Sequence, residues 1–80
     1  MNRETKKKVK LIVRTFLYAN KGKSYTSKDL CNFINENNLG VRSVMTSELG
    51  RVLDSTFCWQ YGISRERKSG RNVWNYSVVE

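Results

Sequence analysis

The sequence contains no histidine and no proline. Without histidine it lacks the commonest general base at neutral pH and the commonest metal ligand. Without proline, a proline-rich linker is excluded. Cysteine is confined to Cys31 and Cys58, with no C-x-x-C and no second pair to complete a zinc site. Both therefore read as small, unlinked core hydrophobes, with a disulfide as the minor alternative. Acidic residues are scarce as well: seven Asp and Glu stand against fifteen Lys and Arg, a net charge of +8. No apolar run approaches the roughly 20 residues that cross a bilayer, and the basic N-terminus has no apolar signal-peptide stretch. An intracellular protein without membrane attachment is expected. Eighty residues make one domain, 1–80, too small for a deep water-excluding chamber. No nucleophile–base pair, phosphate-cradling glycine loop or paired carboxylates stand out, so neither enzyme activity nor a cofactor or small-molecule ligand is expected.

What remains is enough to fold. Apolar residues make up 39% of the chain, with two Trp, four Tyr and three Phe, which is not the composition of a disordered segment. Val9, Ile12, Val13 and Phe16 recur on one face of a helix that starts at Asn2 or Thr5 and ends at Asn20-Lys-Gly22. Lys23 to Tyr25 is a connector with room for one brief strand. A second helix opens at Thr26 or Ser27, where Thr26 and Asp29 form a capping-box-like pair. It buries Leu30, Cys31, Phe33 and Ile34 and stops at Asn37, Asn38 and Gly40. The third helix takes Ser43 as its N-cap and buries Met45, Leu49, Val52 and Leu53, leaving Thr46, Ser47, Gly50, Arg51 and Asp54 outward. A turn of about four residues with glycine in it joins the second and third helices, a helix-turn-helix length.

From Phe57 the periodicity switches to two. Trp59, Tyr61 and Ile63 alternate with Cys58, Gln60 and Gly62, and Trp74, Tyr76 and Val78 mark a return strand. With Ser69-Gly70 as the hairpin loop, Lys68 faces Arg71, Arg65 faces Trp74 and Ile63 faces Tyr76. The expected class is α+β, three helices followed by a C-terminal β-hairpin.

This order resembles the winged helix-turn-helix family of DNA-binding domains over about residues 5 to 79. The resemblance is carried by Leu39-Gly-Val-Arg-Ser-Val-Met-Thr-Ser-Glu-Leu-Gly-Arg-Val-Leu53 and by Ile63-Ser-Arg-Glu-Arg-Lys-Ser-Gly-Arg-Asn-Val-Trp-Asn-Tyr76. The brevity and the Lys- and Asn-rich composition resemble small archaeal or archaeal-virus transcriptional regulators. The resemblance implies double-stranded DNA as partner, the third helix in the major groove and the wing on phosphates or an adjacent groove. It also implies a homodimer, because operators of that family are often palindromic.

Residues left over once the core is assigned agree with that reading. On the third helix they are Arg42, Ser43, Thr46, Ser47 and Arg51; on the wing, Arg65, Arg67, Lys68 and Arg71. Arg bonds a guanine edge with two donors, and Ser and Thr serve bases or phosphates. An outward Asn or Gln for adenine is missing. The alternatives are a sequence-tolerant architectural DNA-binding protein and a protein-interaction winged helix in a larger assembly.

Several of these residues have plainer readings. Arg65 stacks on Trp74 as a cation–π partner. Lys6, Lys7, Lys8 and Lys10 wrap a helical turn and read as a solvated helix start. Gly50 permits either close packing or close approach of a DNA backbone. The aromatic residues of the hairpin read as sheet packing rather than a base-stacking platform, and Glu48 as a surface partner for a nearby Arg.

Overall fold

A computed structural model describes residues 2–37, 43–67 and 74–79. The architecture is α+β: helices α1 (Arg3–Ala19), α2 (Ser27–Asn37), α3 (Thr46–Val52) and α4 (Ser55–Gln60), and strands β1 (Ser24–Thr26), β2 (Ile63–Arg67) and β3 (Trp74–Val78). The strands form one antiparallel sheet in the order β1-β3-β2.

Local chemistry accounts for the helix ends. The Asn2 side chain accepts from the Thr5 amide at 2.8 Å and starts α1. At the far end the Asn20 amide group donates to the Phe16 carbonyl at 2.8 Å. Gly22, at φ 84°, then turns the chain so that its N–H reaches Val78 of β3 at 2.8 Å. Thr26 and Asp29 bond reciprocally, backbone to side chain, at 3.0 and 3.1 Å, which closes the box in front of α2.

The third helix begins later than the sequence predicts. Its N-cap is Met45, not Ser43, and the Glu48 carboxylate accepts from the Met45 amide at 3.2 Å. The cause is Asn35 on α2. Its side-chain oxygen accepts from the Val44 N–H at 2.9 Å while its amide nitrogen donates to the Val44 carbonyl at 3.0 Å. Held this way, Val44 points into the core and Met45, in extended conformation, points out with 65% exposure, the reverse of the expected burial of Met45. The expected four-residue turn, Asn38 to Val41, and Arg42 lie outside the described residues.

A fourth helix stands where period-two alternation predicts a strand. Asp54 caps it by accepting from the Phe57 amide at 2.9 Å, and Gly62, at φ 66°, follows its C-cap Tyr61. Phe57 and Cys58 are buried side by side, and Trp59, expected as sheet packing, is 85% exposed. The strand proper starts at Ile63, which pairs with Val78, with Arg65 opposite Tyr76 and Arg67 opposite Trp74. This register is displaced by two residues from the expected one. A displacement of two keeps every side chain on its face, so the hydrophobic pattern could not distinguish the registers. The Ser69-Gly70 loop lies outside the described residues.

The core is one cluster between helices and sheet, centred on Val9, Val13, Leu17, Leu30, Leu49 and Tyr76. Phe16 joins Tyr25 and Phe33 at its margin, with ring centroids 4.8 and 4.3 Å apart. Both cysteines are buried and free, as expected. The Tyr76 hydroxyl is buried beside Ser27 but makes no well-formed hydrogen bond. Burial pushes its pKa above 10.0, while Ser27 opposes the shift.

That shift carries a pH dependence. An acid whose folded pKa is raised contributes no change below its unfolded value, and stability then falls as pH rises from about 10 through the folded value. Tyr76→Phe is expected to match the wild type at pH 7 to within about 1 kcal/mol, since the lost hydroxyl is unpaired. It should lose less stability between pH 9.5 and 11. Urea melts across that range check it, and equal alkaline losses would sink the assignment.

Candidate nucleic-acid interface

The outward side of α3 is built by its burial pattern. Leu49, Val52 and Leu53 face the core, so Ser47 and Arg51, one turn apart, stand opposite, with Thr46 and Gly50 beside them. Ser43, Thr46, Ser47 and Arg51 are all exposed. Gly50 is not there for packing: an added Cβ would meet nothing within 4 Å. Gly50→Ala is expected to stabilise the protein by roughly 0.5–1 kcal/mol, because alanine gives up less backbone freedom in a helix. Thermal melting checks this; a lower melting temperature would mean that the α3 backbone differs from that of a helix interior.

The hairpin meets the end of that helix. The Arg65 guanidinium donates to the Leu53 carbonyl, the C-cap of α3, at 3.3 Å and lies 4.1 Å from the Trp74 ring centroid. Arg67 lies 4.4 Å from the same ring. Arg65 is thus half-buried with partners inside the protein, and the cation–π reading holds for it. Arg67 is exposed. Lys68 and Arg71 lie outside the described residues. Arg65 also lowers the pKa of the nearby Cys58 thiol, but burial outweighs it and, with Asp54, leaves the thiol above 9.0. A buried, protonated thiol is a poor nucleophile at neutral pH.

Lys6, Lys7 and Lys8 are exposed, as a solvated helix start requires, and with Lys10 they do not share one face, since Lys8 stands apart. At about 100° per residue, Lys6, Lys7, Lys10 and Arg14 fall within one arc of about 100°, and only Lys8 lies elsewhere. Lys6 and Lys10 line a groove with Glu48 and Arg51 of α3. Lys7, Lys10 and Arg14 line a second with Thr56, Gln60 and Tyr61 of and after α4. Lys10 sits 5.8 Å from the Phe57 ring centroid and Arg14 4.5 Å from that of Tyr61. The spacing i, i+1, i+4, i+8 was the available signal. Asn35 gave none: it reads as one more polar residue near a helix end.

Among the described residues no group of three or more His, Cys, Asp or Glu is placed to hold a metal, and no helix is long and apolar enough to cross a membrane. Comparison of the chain with protein-family models, curated proteins and solved structures finds no match.

Proposed function

We propose that this chain is a double-stranded DNA-binding protein of winged helix type that acts as a transcriptional regulator. In this reading α3 enters the major groove and the β2–β3 hairpin lies on the phosphates. The order α1-β1-α2-α3 with β2 and β3 at the end is compatible with a winged helix, and α4 stands as an addition before β2. One observation carries the reading. The Arg65–Leu53 bond fixes the root of an arginine-bearing hairpin against the end of the helix that presents Ser47 and Arg51. A base-reading element and a phosphate-holding element are thereby joined. The activity proposed is binding, with no catalysis and no cofactor.

Selection of sites from random duplexes at stated salt tests it. A regulator yields a preferred site; palindromic sites would also report a dimer. Arg51→Ala and Thr46→Ala then relax preference at single positions by about 1–3 kcal/mol each. With about 5–8 phosphate contacts, log K falls with log salt at a slope of roughly −4 to −7. Absence of duplex binding would sink the proposal. The second reading, a sequence-tolerant architectural protein, is favoured by one feature: among the described residues the outward side of α3 offers a single arginine. Recovery of no sequence bound more tightly than random duplex would support it.

A further inference from the structure

We infer that the cationic ridge of α1 is a second phosphodiester-binding site, which holds DNA phosphates other than those held by the hairpin. The inference rests on the double-stranded DNA reading above. Lys6, Lys7, Lys10 and Arg14 share one face of α1 and line two adjoining grooves, one against α3 and one against α4. The first groove includes Arg51, so the ridge continues from the outward side of α3.

Two of the cations are held in place. The Phe57 ring lies under Lys10 and the Tyr61 ring under Arg14, and the Tyr18 hydroxyl donates to the Tyr61 carbonyl, tying α1 to the end of α4. Ordered cations lose less freedom on binding an anion than free lysines do. Two carboxylates share these grooves, and both are directed at backbone amides: Glu48 accepts from Met45 and Asp54 from Phe57. Thr56 and Gln60 add neutral hydrogen-bonding groups.

The test compares two variants of equal charge. Lys7→Gln/Lys10→Gln/Arg14→Gln and the control Lys8→Gln/Lys21→Gln/Lys23→Gln each lower the net charge from +8 to +5. Binding to one duplex is measured against salt, with circular dichroism confirming the fold. The ridge variant is expected to flatten the log–log slope by about 2–3 units, at about 0.9 per phosphate, and the control by less than one. Between 50 and 200 mM salt the wild type then loses about 40-fold more affinity than the ridge variant. The swap Lys7→Arg/Lys10→Arg/Arg14→Lys keeps the wild-type slope. Because loss of the ring contacts could impair folding, wild-type protein is also tested on duplexes with single neutral methylphosphonates. Weakened binding is expected at two separate sets of phosphates, one for the hairpin and one for the ridge. Equal slope changes in ridge variant and control, or methylphosphonate effects confined to one set of phosphates, would overturn the inference and leave the DNA reading intact. If the wild type binds no duplex, both fall.

Discussion

Asn35→Ala is expected to destabilise the protein by about 2–3 kcal/mol. Its side chain makes two bonds to the Val44 backbone, at 2.9 and 3.0 Å, the pairing a neighbouring strand would supply. Each such bond is worth about 0.5–1.5 kcal/mol net, and an N–H left buried without a partner costs about 1–3 kcal/mol. Val44 is only 3% exposed, so water replaces the lost partner poorly. The Val44 carbonyl keeps the Cys31 thiol, which donates at 2.9 Å, and the N–H keeps nothing equivalent. For a domain of this size the loss corresponds to a melting temperature lower by about 10–20 °C. Asn35→Asp retains the acceptor and loses the donor, and should fall between alanine and wild type. Duplex binding of Asn35→Ala, measured well below its melting point, should weaken as well, because Asn35 sets where α3 begins. A melting temperature unchanged in the alanine variant would show that Val44 does not depend on Asn35.

The second large effect separates two arginines that look alike in sequence. Arg65→Ala should cost about 1–2 kcal/mol of stability, since it removes a charged donor from the C-cap carbonyl of α3 and a guanidinium from the Trp74 ring. Arg65→Lys should recover little of it, because an ammonium does not stack as a planar guanidinium does. Arg67→Ala, at an exposed position against the Trp74 ring, should cost less than about 1 kcal/mol of stability and weaken all duplexes about equally. Thermal melts and salt-dependent binding of the three variants check this. Similar melting temperatures for Arg65→Ala and Arg67→Ala would refute the division of roles.

Much of this was legible because it is local. Asn2, the Thr26–Asp29 pair and Gly22 act within a few residues, and the apolar stripes of α1 and α2 are helical faces that any packing must bury. Arg65 over Trp74 was readable even with the register two residues out, since the two remain near neighbours on one face. The region from Asp54 to Ile63 was misread because Phe57, Trp59, Tyr61 and Ile63 alternate as a strand would. The competing local signal, Asp54 three residues before Phe57 and glycine at Gly62, was the one that prevailed.

The sequence by itself determined the class of the fold, the positive charge and the outward set on α3, since composition, caps and hydrophobic period do not depend on distant contacts. Only the tertiary structure decided where α3 begins, which strand residues pair and which cations line common grooves. A polar side chain such as Asn35 becomes decisive only when a backbone far along the chain is brought to it. A register shift of two leaves the pattern of faces unchanged, so it is settled by the packing of the strand ends. Lys6, Lys7, Lys10 and Arg14 line grooves only because α3 and α4 form the opposite walls.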